Sequence, residues 1–201
     1  MNLRPRSNLA AVFSRGRIAV GLALVLLFAC ASASAAGPRS VRARSPRASA
    51  HTPFTSTFRD FKTVVPAGFR NVLGSPQAPI TGFAYFAVGQ RAKGYTTTIN
   101  VVRVEFKGLG NLDRATQIEL SGIKRSVPTA RIGAVKRAKV AGSPARVVDD
   151  FVPKGRQQLV HHQVYFAHGG QLYVLTYSAL RSTFHLGVNG LRQVLSKWQW
   201  T

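Results

Sequence analysis

Among its charged groups this chain has very few carboxylates: 6 Asp+Glu stand against 28 Lys+Arg in 201 residues, a formal charge of +22. Such a field attracts anionic polymers, phosphate-rich surfaces and nucleic acid without choosing among them. Cysteine is scarcer still. Cys30 is the single example, so once the chain is cut downstream of it neither a disulfide nor thiol chemistry is possible. Long apolar runs are also missing. The run at residues 18–29 is too short to span a bilayer comfortably, but it has the length of the apolar region of an export signal.

The surroundings of that run agree with export. Arg4, Arg6, Arg15 and Arg17 form a basic leader, and Ala31-Ser32-Ala33 and Ala33-Ser34-Ala35 offer small-residue cleavage sites. Leu27-Phe28-Ala29-Cys30 resembles a bacterial lipobox, so simple secretion and lipid anchoring through Cys30 compete. Residues 1–36 read as a signal peptide and residues 37–52 as a basic linker. The linker is made of small residues, prolines and arginines with Val41 as its single aliphatic side chain, too little to offset ordering entropy by burial. Eight basic residues precede His51, which leaves 20 against all six acids and places residues 53–201 near +14.

With 45% hydrophobic content and 9% aromatics, the remainder supports one sizeable core and hence one domain. Its organising stretch is a β-hairpin. Residues 159–166 and 172–177 are rich in β-branched and aromatic side chains, and Gly169-Gly170 supplies the positive φ angles of a tight turn. The second arm is apolar on both alternations, as expected of a central strand covered on both faces, with Leu175 deep inside. Around it we expect one bent strand or a strand pair over residues 58–66, closed by the turn Pro66-Ala67-Gly68-Phe69. Strands at 82–88 and 96–106 follow, joined by a loop at 89–94, with Val102, Val104 and Phe106 facing the core.

Asn111 then caps a helix to Ser126. It carries Leu112, Ala115, Leu120 and Ile123 on one arc, and Glu119 falls inside that arc. Strands at 132–140 and 145–152 follow, joined by Gly142-Ser143-Pro144. A helix over 182–196 behind a Ser/Thr cap closes the chain, weakened by about 1 kcal/mol each at Gly187 and Gly190 relative to alanine and so expected to depend on docking against the sheet. Trp198 and Trp200 alternate on a short terminal edge strand. Antiparallel strands with two separated helices indicate the α+β class.

Several of these stretches carry a family resemblance. Phe58 to Phe69 reads Phe-x-Asp-Phe-x-x-x-x-Pro-x-Gly-Phe. Together with Asn111-Leu112-Asp113, Val140-Ala141-Gly142-Ser143-Pro144-Ala145, Leu172-Tyr173-Val174-Leu175-Thr176-Tyr177 and the helix before Trp198, it resembles the PsbP-like superfamily. That group takes in PsbP, DcrB and LpqN-type envelope proteins. The resemblance implies an α/β/α sandwich around an antiparallel sheet, in a group that mostly binds other macromolecules and shares no catalytic residues.

The residues themselves point to no catalytic, cofactor or metal site. Asp149-Asp150 is the only acidic pair, and neighbours on a strand face opposite ways, so we expect a surface ion pair for one and a capping or turn contact for the other. His162 shares its alternation with Val160, Val164 and Phe166 and reads as half-buried, while His161 could meet His168 or His185 only through the fold. Ser143 lacks the G-x-S-x-G elbow and is read as part of a strand connection. Gly108-Leu109-Gly110-Asn111 has no following Gly-Lys-Ser/Thr and reads as loop and cap.

Lys124, Arg125, Arg131, Lys136, Arg137 and Lys139 form the densest basic stretch of the domain and are the candidate anion-binding residues; no aromatic interleaves residues 124–139 to favour nucleic acid. Three function classes follow in order: an exported binding or adaptor domain with a protein partner, a binder of envelope polymers or nucleic acid, and an enzyme with a dispersed site. Contact with a membrane is expected only if Cys30 is lipidated. Mass spectrometry of the mature protein should find the new N-terminus between Ala29 and Gly37. An intact Met1 would refute export, and a diacylated Cys30 would decide for the anchor.

Overall fold

The computed structural model describes residues 51–73, 82–107 and 109–201, so the expected signal peptide, its cleavage sites, Cys30 and nearly all of the basic linker lie outside the described residues. In chain order the strands are β1 (Thr52–Thr55), β2 (Phe61–Val65), β3 (Arg70–Asn71), β4 (Phe83–Ala92) and β5 (Tyr95–Glu105). Helix α1 (Leu112–Ser126) follows, then β6 (Arg131–Ile132), β7 (Lys136–Val140), β8 (Ser143–Lys154), β9 (Gln157–His168) and β10 (Gln171–Leu180). A single turn of tighter helix at Arg181–Thr183 leads into α2 (Phe184–Ser196), and β11 (Gln199–Trp200) ends the chain. The main sheet runs β3-β4-β5-β10-β9-β8-β6, with β7 also on β8, and a small sheet runs β1-β2-β11. Every pairing is antiparallel.

The β9–β10 hairpin stands where its composition puts it. Gly169 and Gly170 turn it with φ of 55° and 75°, and β10 lies between β9 and β5, with Leu175 opposite Val164 and Val101. Alternation then divides the core. Tyr173, Leu175, Tyr177 and Ala179 pack with Leu191 and Val194 of α2, Phe61 of β2 and Trp198. Leu172, Val174 and Leu180 pack instead with Ala115, Leu120 and Ile123 of α1. Each helix therefore has its own face of β10.

Local signals place α1 as read. The Asn111 side chain accepts from the Arg114 N–H at 2.9 Å, Asp113 lies in the first turn, and Lys124 and Arg125 end the helix. The Pro66 turn is also present, with the Phe69 N–H donating to the Pro66 carbonyl at 3.0 Å and Gly68 at φ 78°. Trp200 pairs with Phe61 on the terminal strand, and Trp198 stacks on the Phe61 ring at 3.8 Å.

Other boundaries move. Only Phe61–Val65 of the 58–66 stretch is a strand, since Ser56 to Asp60 form a loop closed by the Ser56 and Asp60 side chains. β4 continues through Gly89 to Ala92 across a bulge, leaving Lys93-Gly94 as the turn, because a hairpin end in solvent accepts polar residues. On β5 the fully buried pair is Ile99 and Val101; Val102 and Val104, with Phe106 just past the strand, are half-buried, and Val104 and Phe106 pack on the α1-side core as expected. The 132–140 stretch splits into β6 and β7 at Gly133, whose N–H donates to the Asp149 carbonyl at 2.8 Å, so closely that a Cβ would lie 2.9 Å from that oxygen. Ser143 and Pro144 belong to β8, and the connection is Ala141-Gly142.

Helix α2 corrects one expectation. No side chain caps it: the Thr183 hydroxyl donates back to the Leu180 carbonyl at 3.3 Å. Its dependence on docking is as read: Gly187 and Gly190 cost helix propensity, and both are buried where the helix meets its neighbours. A Cβ on Gly187 would lie 2.7 Å from the Tyr177 hydroxyl, which is fixed by its 2.6 Å hydrogen bond to the Phe184 carbonyl. A Cβ on Gly190 would lie 2.8 Å from the Phe69 ring. Helix propensity alone would make Gly187→Ala stabilising by about 1 kcal/mol. The packing reverses that sign, so urea denaturation should show a net loss, alongside a loss of roughly 2–5 kcal/mol for Leu175→Ala in the central strand. A more stable Gly187→Ala protein would remove the close-approach account of α2.

Candidate functional site

Beneath α1 the sheet carries a chain of polar side chains. In the β8–β9 register Asp149 stands opposite His162 and Asp150 opposite His161, and alternation sends the two pairs to opposite faces. The Asp149–His162 pair, at 2.7 Å, is partly exposed on the α2 face, where His162 also nears the Phe184 ring. The Asp150–His161 pair, also at 2.7 Å, is sealed from solvent. With Asp150 ionised its carboxylate only accepts, and His161 Nδ1 is then the donor of this contact. The second Asp150 oxygen accepts from the Gln163 amide, and the Gln163 carbonyl oxygen accepts from the Tyr165 hydroxyl.

Glu119 of α1 approaches the same place. Burial pushes its carboxyl up from 4.5 to about 7. Burial, and then the nearness of Glu119 and Asp150, holds the Tyr165 hydroxyl protonated far above its ordinary range, consistent with its role as donor to Gln163. Ser178 of β10 stands opposite His161, so Asp150, His161 and Ser178 are side by side on three strands. Those are the residue types of a nucleophilic triad. A triad has that carboxylate contact at Nδ1 and also needs a hydrogen bond from the nucleophile to the other ring nitrogen. The first is present, and among the described residues no hydrogen bond joins the Ser178 hydroxyl to His161. Among the described residues no group of three or more His, Cys, Asp or Glu could hold a metal ion.

Sequence reasoning read His162 correctly as a half-buried, hydrogen-bonded histidine but missed the cluster on the other face. Asp150 is fully buried rather than at a surface or turn, and His161, whose partner only the fold could supply, is sealed beside it. The usable signal was Glu119 within the apolar arc of α1, since a buried carboxyl needs polar groups beneath it.

The six basic residues are distributed over three places. The Lys124 ammonium donates to the Pro128 and Ala130 carbonyls at 3.2 and 2.6 Å, closing the C-terminal end of α1, and Arg125 is exposed beside it. Arg131 is exposed on β6 opposite Phe151. On β7, Lys136 shares an alternation with Ala138 and Val140, which belong to the α2-side core, while Arg137 and Lys139 point the other way. Arg146, opposite Arg137, makes two hydrogen bonds to Asp113, whose carboxyl is lowered chiefly by that bonding. A strand carrying Lys and Arg at a sheet edge also discourages unwanted pairing, a structural role for these charges.

No protein-family model matches the chain, and no curated protein matches it by sequence. Solved structures do. Cyanobacterial PsbP (CyanoP) from Synechocystis sp. PCC 6803 aligns at a TM-score of 0.55 and 13% identity, over 82% of this chain and 100% of its own. LpqN, involved in cell envelope biogenesis of Mycobacterium tuberculosis, aligns at 0.55 and 16%, over 76% and 91%. The domain has the PsbP-like fold. The Saccharomyces cerevisiae Ran-binding protein Mog1p aligns at 0.56 and 15%, over 75% and 95%. At these identities the likeness is one of fold, and the PsbP-like frame transfers no site residue to this chain.

The polar cluster predicts a pH dependence. Glu119 binds its proton more tightly folded than unfolded, so stability is fully present below about pH 4.5 and is lost as pH rises toward about 7. Glu119→Gln should remove that part of the profile and stabilise the protein at pH 8, read as urea midpoints between pH 4.5 and 8. An unchanged profile would show that Glu119 is solvated.

Proposed function

We propose that the chain is an exported, non-catalytic binding or adaptor protein of the cell envelope or extracellular space, its folded part an α/β/α sandwich of PsbP-like type. The observation that carries this reading is the use made of the buried Asp150–His161 pair. Both oxygens of Asp150 hold donors from the same sheet face, so groups of the kind that do chemistry serve here to satisfy one another under α1. The fold adds support. One protein that shares it is named for binding Ran and another for cell envelope biogenesis. Export rests on the basic leader and apolar run of residues 1–36, with lipid anchoring through Cys30 as its alternative.

A second reading, electrostatic binding of an anionic envelope polymer or nucleic acid, is favoured by where the acids lie. Asp60 accepts from the Tyr173 hydroxyl at 2.7 Å and pairs with Arg103 at 3.4 Å. Asp113 is held by Arg146, Asp149 and Asp150 by histidines, and Glu119 is buried. The outward field is therefore set by the basic residues. Crosslinking of the exported protein in its native envelope should capture a protein partner. A polyanion titration tests the second reading: affinity should fall steeply from about 50 to 200 mM salt and should weaken when Lys136, Arg137 and Lys139 become serine. Salt-indifferent binding, or equal binding by both proteins, would remove the basic residues from the function.

A further inference from the structure

β7 pairs on one side only: among the described residues its sole partner is β8. The hairpin between them turns through Ala141 and Gly142, both at positive φ, a two-residue connection whose flanking pair Val140 and Ser143 exchanges main-chain hydrogen bonds. Bonded and non-bonded pairs alternate from there, so Ala138 and Lys136 bond to β8 while the N–H and C=O of Arg137 and Lys139 point away from it. Pro144, which has no N–H, stands opposite Lys139, where none is needed. The residues with outward main-chain groups are thus also the two exposed cations on the α1 side of the strand. Arg146 beside them is tied to Asp113, whereas among the described residues neither Arg137 nor Lys139 makes a direct ion pair, Arg137 acting on Asp113 only from a distance.

We propose that the outer edge of β7 docks an extended acidic segment of a partner protein, added to the sheet as a further strand with carboxylates two residues apart beside Arg137 and Lys139. The proposal rests on the adaptor reading and names its surface. A second copy is disfavoured, because pairing β7 with β7 sets cation against cation. Nor does the chain hold a free acidic segment of its own. Residues 1–59 and 74–81 contain no Asp or Glu, and of the six acids four are bonded, Glu119 is buried, and Glu105 lies within β5 opposite Gln171. A polyphosphate could meet the cations and the N–H groups but leaves the two outward carbonyls without donors. A peptide backbone offers donors and acceptors in alternation.

The test uses the exported chain and a fluorescein-labelled peptide Thr-Glu-Val-Glu-Val-Glu-Thr, compared with an equally charged peptide carrying proline in place of valine and with polyphosphate. Binding of the first peptide should protect the Arg137 and Lys139 amides from hydrogen exchange. It should weaken at least tenfold in Lys139→Pro, which removes one outward N–H without touching the bonds to β8, and in the folded Arg137→Thr/Lys139→Thr double variant. Equal affinity for the proline peptide, a preference for polyphosphate, or undiminished binding by both variants would overturn strand addition. The parent reading fails separately. Native crosslinking that captures the same protein with wild type and double variant would overturn only docking at β7, whereas capture of no protein by either would overturn the adaptor reading and this proposal with it.

Discussion

A central strand with no wet face governs this domain. β10 is covered on both sides, so each alternation of its side chains must find a layer to pack against, and the two helices occupy opposite faces for that reason. The rest of the α2 side follows from closeness. The helix approaches until Gly187 meets Tyr177 and Gly190 meets Phe69, and the aromatic group of Phe61, Phe166, Tyr173 and Trp198 fills the space beneath the small sheet. Glycine in this helix is therefore a condition of contact rather than a defect.

The α1 side is built by a different balance. Its sheet face includes Asp150, His161 and Gln163, all buried, and Glu119 descends from the helix onto the Tyr165 end of the same chain. Leaving such groups unpaired would be costly, so the cluster requires the β8–β9 register to be correct to the residue. A slip of one residue would take Asp150 from His161 and turn every side chain of the strand to the other face. The polar row thereby specifies pairing as well as stability.

Use of the acids inside the structure shapes its outside. With four of six carboxylates bonded to partners and a fifth buried, Glu105 is the one exposed carboxylate outside an ion pair, the surface charge is dominated by Lys and Arg, and the edge strand β7 carries three of these. The same residues that prevent the edge from pairing with its own kind leave it complementary to acidic chains. Adaptor and polyanion readings thus draw on one electrostatic fact and differ in whether main-chain groups take part.

Much of the fold was legible because its signals are local. The double alternation of residues 172–177, Gly169-Gly170, the Asn111 cap and the Pro66 turn each act within a few residues, and each appears where its chemistry requires it. The limits of β4 and β7, the depth of His161 and Asp150, and the need for glycine at 187 and 190 depend on residues distant in sequence. Asp150 meets His161 only through strand register, Gly133 is limited by the Asp149 carbonyl, and Gly187 by a tyrosine on another strand. Sequence alone determined which segments must be strands and helices, since hydrophobic period and turn geometry are properties of the chain itself. Which polar groups would be enclosed together, and which cations would be left at an open edge, was decided only when packing chose each strand's neighbours.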